Sequence, residues 1–289
     1  MLIIRRAAMT ATDLACSTVG RRHVVRAARF VLWRARRDGR NDMLSNGESS
    51  LQRWILELSA SGTCVHVLDV GANTGSWSEG MLGAARREGR LDDLDLHAFE
   101  PSSYTYGRLS ESLAGQRVSL HHTALGDRSG TATLHLVSPA AGTNSLYEAS
   151  GTPGGTTTEE VATTTLDAFV SGAGLAHLTL VKIDTEGHDL AVLRGARSLF
   201  AEQRISVAQF EYNSRWIYPR FFLRDVFRFL EPFGYRIGKL TPEGVEFYPG
   251  WDADLETFIE GNYVACTAHA AGRLPTVNWW KADRQGDSR

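Results

Sequence analysis

Cysteine is scarce in this 289-residue chain. Cys16, Cys64 and Cys266 are odd in number and far apart, and two of them lie in apolar strand-like runs. Neither a disulfide framework nor a thiolate metal site is expected, and a reducing cytoplasm fits best. No run of eighteen apolar residues occurs, which excludes a membrane-spanning helix on length. No excess of one charge exists either: 31 basic against 33 acidic residues give a net charge of −2. That balance offers no overall reason for nucleic acid or a membrane as partner. A continuous apolar segment is missing near the start, where Asp13 interrupts the alanine-rich stretch after Arg5 and Arg6, so secretion is not expected. Two phosphate-cradling signatures are absent as well. No Gly-Lys-Ser/Thr follows a glycine loop, and Asn73 stands where a dinucleotide fingerprint requires glycine.

What is present is ordinary globular composition, 43% apolar and 22% charged, enough for a sizeable core. The first 45 residues hold ten arginines against Asp13, Asp38 and Asp42. Val24, Val25, Ala28, Val31 and Leu32 interleave with them at three- and four-residue spacing and predict an amphipathic helix with a charged face. Such a helix reads as a solvated element packed on the main domain, or as a contact for an anionic substrate or a partner subunit. Leu51, Trp54, Ile55 and Leu58 predict a second helix, ending at Ser61-Gly62. The expected organisation is an arginine-rich helical extension over 1–60, a catalytic domain over 61–270 and a tail over 271–289.

Beyond residue 61 the period changes. Cys64–Val70, Leu94–Glu100, Val118–Ala124, Leu178–Asp184 and Ile205–Tyr212 are short apolar runs, mostly with helical patterns between them, and Tyr235–Leu240 and Asn262–Thr267 are further candidate strands. The alternation predicts a doubly wound α/β fold around a mainly parallel sheet covered on both faces. Thr131–Val137 and Glu160–Thr164 predict a hairpin insertion, whose Gly/Ser/Thr/Pro-rich loop from Ser138 to Thr158 could cover the ligand crevice.

Three segments carry chemistry. Val67 to Gly75 places Asp69 at a strand end, then a turn bracketed by Gly71 and Gly75, then a helix opening near Ser76, and ligands in such sheets bind at the carboxyl ends of the strands. Leu94 to Pro101 ends its strand in Glu100, which can accept both hydroxyls of a ribose. Val181 to Leu190 crowds Lys182, Asp184, Glu186, His188 and Asp189 at a strand end and helix start; Asp184 or Glu186 alone also reads as a helix cap.

Together Asp69–Gly75, Phe99-Glu100-Pro101, Thr165-Leu166-Asp167, Lys182–Gly187 and Leu193-Arg194-Gly195-Ala196 resemble the FkbM-type S-adenosylmethionine-dependent methyltransferases, in the right order over about residues 64–212. The resemblance implies a seven-stranded Rossmann-like sheet. It also implies that Asp69, Gly71, Asn73 and Gly75 line the methionine part of S-adenosylmethionine, that Glu100 holds the ribose, and that Ala124 and Leu125 flank the adenine. Thr185 departs from the hydrophobic residue the family often has there. The implied acceptor is a hydroxyl on a sugar, polyketide or glycolipid, and the implied partner a small molecule or glycan, with a homo-oligomer open.

A hydroxyl acceptor must lose a proton, and His188, beside Asp184 and Glu186, is the first candidate base, set against an ordinary surface histidine at a helix start. A metal scheme would use Mg²⁺ on Asp184, Glu186 and Glu211. Two readings compete with methyl transfer: a nicotinamide-dependent oxidoreductase, weakened by Asn73, and a non-catalytic module for anionic ligands on the same fold.

Overall fold

The computed structural model describes residues 2–39, 42–136, 144–147 and 157–279. They divide into two compact units, 1–40 and 41–289. In the first, α1 (Leu2–Ala15) runs through a short π-helical turn, Cys16–Gly20, into α2 (Arg21–Arg36), the amphipathic helix the arginine spacing predicts.

The second unit opens with α3 (Met43–Asn46) and α4 (Glu48–Leu58), followed by β1 (Val65–Val70), α5 (Ser76–Arg87), β2 (Leu94–Phe99), α6 (Ser103–Ser112) and β3 (Ser119–His121). Next come β4 (Ala124–Leu125), the hairpin β5 (Gly130–Leu136) and β6 (Thr157–Thr164), and α7 (Leu166–Gly172). The chain returns through β7 (Leu178–Ile183), α8 (Asp189–Arg194), α9 (Arg197–Ala201), β8 (Ile205–Tyr212) and α10 (Leu223–Leu230). It closes with β9 (Arg236–Thr241), β10 (Gly244–Phe247), β11 (Gly261–Cys266) and α11 (Ala268–Ala271).

The main sheet has the order β10-β9-β11-β8-β7-β1-β2-β3. From β8 to β3 every pairing is parallel, whereas β11 runs antiparallel to β8 and β9, and β10 antiparallel to β9. The alternation of strand and helix is therefore borne out, with one correction: the sheet has eight strands, not seven. The extra strand, β10, is only four residues long and too short to show a period. Its outer edge is covered by the tail: Val245 N–H donates to Pro275 O at 2.8 Å and Val277 N–H to Val245 O at 3.1 Å. A second correction concerns Val118–Ala124, expected as one strand. It splits after His121: β3 closes the main sheet, and β4 pairs with β6 in a three-stranded sheet of order β4-β6-β5. The predicted hairpin is there in the register Thr131↔Ala162, although positions 137–143 and 148–156 lie outside the described residues.

Successive strand residues point to opposite faces, so β1 feeds two cores. Val65 and Val67 pack with Leu51, Trp54 and Ile55 of α4 and Met81 and Leu82 of α5. Leu68 and Val70 pack with Leu190 and Leu193 of α8 and Val226 and Leu230 of α10. Helix α4, read from sequence as part of the N-terminal extension, is thus built into the sheet's cover.

Two of the sequence segments turn out to brace each other. The Asp167 carboxylate accepts the Ser198 and Leu199 N–H groups at 2.9 and 3.0 Å, holding the start of α9, and Asp167 N–H donates to Gly195 O at 2.9 Å. Gly71 is fixed more tightly still. Its φ is +79°, and an added Cβ would lie 1.9 Å from the Asp184 carbonyl oxygen. Gly62 has a similar φ of +80° with nothing within 4 Å. Gly71→Ala should therefore cost clearly more than Gly62→Ala, which carries only the left-handed strain of about 1 kcal/mol. At about 2–4 °C per kcal/mol for a domain of this size, a Gly71→Ala loss of at least roughly 2 kcal/mol lowers Tm by at least about 4 °C in calorimetry. Equal Tm values for the two variants would contradict the close approach of the β1 and β7 ends.

Candidate functional site

The pairing of β1 with β7 sets Asp69 beside Lys182. Both side chains are buried, at 0% and 4% exposure, and Lys182 Nζ lies 3.1 Å from Asp69 Oδ1 and 3.5 Å from Asp184 Oδ2. Lys182 also donates to Gly71 O at 3.2 Å, and Ser78 Oγ on α5 donates to Asp69 Oδ2 at 2.7 Å. Burial alone would depress the Lys182 ammonium, but the carboxylates of Asp69, Asp184 and Glu48 overrule it and hold the group charged far above neutral pH. One buried cation thus joins two strand ends and the loop after β1.

Above this floor opens a cavity of about 310 Å³, at the carboxyl ends of β1, β2 and β7. Gly71, Asn73, Glu100, Ala124, Leu125, Asp184, Glu186, His188 and Glu211 all line it, so most of the residues singled out in the sequence converge. Asp69 and Gly75 do not. Asp69 stays behind the wall under Lys182 and Ser78, and Gly75, with φ +96°, forms the start of α5 against Leu109 and Leu113. Asn73 and Glu186 hold φ values of +50° and +55°, a conformation that costs a non-glycine residue energy and collects at functional positions.

The charge of the wall is one-sided. Four carboxylates, Glu100, Asp184, Glu186 and Glu211, face the cavity, and no lysine or arginine lines it among the described residues. Glu100 accepts from Asn73 N–H at 3.1 Å and Ser102 N–H at 2.9 Å, yet burial pushes its carboxyl up to about 7. Burial, then repulsion from Asp184, push Glu186 up to about 7 as well, although Arg215 Nε lies 2.5 Å from Glu186 Oε2. Glu211 is raised well above the carboxylate range by burial and by Asp184, Glu186 and Glu260, and it accepts from Asn213 Nδ2. Burial has the opposite effect on His188: it lowers the imidazole to about 4 and keeps it neutral.

The metal set does not form. Among the described residues, the only three His, Cys, Asp or Glu ligand atoms drawn within 4.8 Å of one another belong to Cys64, His66 and Asp95, at the opposite ends of β1 and β2. Asp184, Glu186 and Glu211 are not drawn together, because Glu186 is turned to Arg215 and Asp184 to Lys182.

Sequence reasoning missed several wall residues. Thr105, Leu134, Asn144, Ser145 and Leu146 reach the cavity, the last three from the hairpin loop. Ser145 is pinned there: it exchanges backbone hydrogen bonds with His135 at 2.8 and 3.1 Å, and its Oγ donates to Glu186 O at 2.8 Å. Tyr147 lies against His188 with ring centroids 5.3 Å apart. The loop composition gave a position over the crevice but not these contacts, which depend on the hairpin register. Arg215 carried no sequence signal beyond its charge, and Lys182, although part of the Lys182–Gly187 segment, gave no sign of its partner.

Solved structures to which the chain is similar include a precorrin-6y C5,15-methyltransferase from Geobacter metallireducens, 15% identical over 76% of this chain and 87% of the other, with a TM-score of 0.38. A SAM-dependent methyltransferase from Aquifex aeolicus is 10% identical over 80% and 94%, with a TM-score of 0.40. A SAM-dependent O-methyltransferase from Thermotoga maritima is 9% identical over 76% and 64%, with a TM-score of 0.37. At such identities and scores the likeness carries no argument about this chain. No curated protein matches the chain in sequence. The family model described as the methyltransferase FkbM domain matches residues 69–237, more than half of the chain and every segment lining the cavity from Val70 to Glu211. The chain belongs to the methyltransferase FkbM domain family.

Proposed function

We propose that this S-adenosylmethionine-dependent methyltransferase methylates a hydroxyl oxygen on a sugar, polyketide or glycolipid acceptor, and that the carboxylate-lined cavity is where it does so. The supporting observation is the one-sided wall, four carboxylates and no cation among the described residues. Such a wall suits a ligand bearing a sulfonium, an ammonium and a ribose diol. It offers a pyrophosphate no cation, and with Asn73 in the turn this disfavours both the nicotinamide-dependent oxidoreductase and the anionic-ligand module.

The residues present fit the cofactor. Glu100 is fixed by two backbone N–H groups and keeps lone pairs to accept ribose hydroxyls. Gly71 and Asn73 leave backbone close to the cavity, and Ala124, Leu125 and Phe99 give it an apolar side for a heterocycle. When bound, S-adenosylmethionine supplies an electrophilic methyl group on a positively charged sulfur. The protein's own task is then to orient the acceptor, exclude water and take up a proton. Leu134 and Leu146 line the cavity from the hairpin. Asp184 remains a catalytic candidate, lining the cavity and turned to Lys182.

For the proton we favour Glu186 over His188: both line the cavity, and they differ in proton affinity. A general base works best when its proton affinity lies near the working pH, and Glu186 at about 7 meets this where His188 at about 4 does not. His188 then shapes the acceptor side with Tyr147. Mg²⁺ has no preformed carboxylate set here, so no step is assigned to it.

Two outcomes test this reading. Glu100→Gln should weaken S-adenosylmethionine binding about tenfold to a hundredfold in titration calorimetry, from a charge-assisted hydrogen bond worth roughly 1.5–3 kcal/mol. Unchanged affinity would remove Glu100 from the cofactor site. Glu186→Gln should lower kcat by about 10²–10⁴-fold, with cofactor affinity near that of the wild type. Because Glu186 must be ionised to accept a proton, wild-type kcat/KM should fall below about pH 7. That acidic limb should vanish in Glu186→Gln and persist in His188→Ala, and chelator should change neither. The reverse pattern would return the role of base to His188.

A further inference from the structure

Apolar exposure on this protein is concentrated at one end of the chain. Of the fifteen large apolar side chains exposed among the described residues, eight lie before residue 40, among them Ile4, Val25, Phe30, Val31 and Leu32, each at least half exposed. The same forty residues carry ten arginines against Asp13 and Asp38, whereas the remainder of the chain is net acidic. On α2 the two properties are largely sorted by angle. Val24, Val25, Ala28, Val31, Leu32 and Ala35 recur at the spacing of one helix face, and Arg22, Arg26 and Arg29 fall on the other side with Phe30, while Arg36 is buried against Asp38. Trp33 lies on the arginine side, with the Arg29 guanidinium 5.0 Å above its ring.

We infer that the N-terminal unit is a membrane-surface anchor whose occupant is an anionic lipid bilayer, with α2 lying in the plane of the headgroups. Sixteen residues make about 24 Å of helix, short of the roughly 30 Å hydrocarbon core, and no helix among the described residues is long and apolar enough to cross a membrane. A helix in the interface needs neither length nor overall hydrophobicity. It needs an apolar stripe to dip below the headgroups and cations to meet lipid phosphates, and α2 has both. Charge selects among occupants. A second copy would bring another ten arginines against the first, and an uncharged surface would leave the arginines without anions. An anionic bilayer supplies the apolar depth and the counter-charge together. Membrane binding and methyl transfer are separate properties, so each can fail without the other.

The test uses the full-length protein in flotation with vesicles of phosphatidylcholine alone and of phosphatidylcholine with phosphatidylglycerol. Binding is expected to the anionic vesicles, at least tenfold stronger than to the neutral ones and weakened by salt. The double variant Val31→Asp with Leu32→Asp, and separately Arg22→Glu with Arg26→Glu, should each reduce it at least tenfold. Retained S-adenosylmethionine binding would show that the second unit is intact in each variant, and an unchanged helical circular dichroism signal that α2 has not unfolded. Absence of binding to anionic vesicles, or binding indifferent to both variants, would overturn the inference. So would light scattering that shows a wild-type dimer and a monomeric Val31→Asp, Leu32→Asp variant without lipid, since the face would then be covered by a second copy.

Discussion

The ion pair between Lys182 and Asp69 is the constraint on which the site depends. Neither side chain reaches solvent, and the 3.1 Å contact exists because parallel pairing places residue 69 of β1 beside residue 182 of β7. Losing one partner would strand the other charge in the interior, at a cost of about 3–5 kcal/mol. The same ammonium holds the Gly71 carbonyl and faces Asp184, and Ser78 ties the far oxygen of Asp69 to α5. The loop that shapes one wall of the cavity and the strand end that shapes the next are therefore set by one cation. An acidic residue in the glycine-turn segment is explained here by architecture, one layer beneath the wall.

What lies above that floor is costly to the fold. Glu100 and Glu186 at about 7, and Asp189 at about 8, bind protons more tightly in the folded chain than in the unfolded one, chiefly because burial penalises the charged form. Their contribution to stability is present at low pH and is lost as pH rises through those values. His121 and His188, both lowered to about 4 by burial, act the other way and withdraw stability as pH falls below their ordinary range. A cation entering the cavity would offset the repulsion among the carboxylates. Destabilisation without ligand and affinity for a positively charged one thus have the same origin.

The two units divide the protein's charge. The first forty residues concentrate arginine and exposed apolar surface, while the second unit gathers its carboxylates around one cavity. A near-neutral net charge conceals both features, since it sums over a basic and an acidic segment.

The sequence by itself determined the class of sheet, the hairpin insertion, the strand ends and the family, because these follow from local period, turn chemistry and the order of short segments. It also brought Gly71, Asn73, Glu100, Ala124, Leu125, Asp184, Glu186 and His188 to one place, since the carboxyl ends of adjacent parallel strands must meet. Only the tertiary structure decided that Asp69 lies behind the wall, that Lys182 is its partner, that Arg215 takes Glu186, and that Ser145 and Leu146 reach in from the hairpin. It alone showed the eighth strand, whose four residues are held by pairing with β9 and with the tail rather than by any pattern of their own. The reason is common to all of these. Burial and proton affinity depend on which neighbours a side chain faces, and the neighbours are set by pairings between segments distant in sequence, as Asp69 of β1 is from Lys182 of β7, which a local pattern cannot encode.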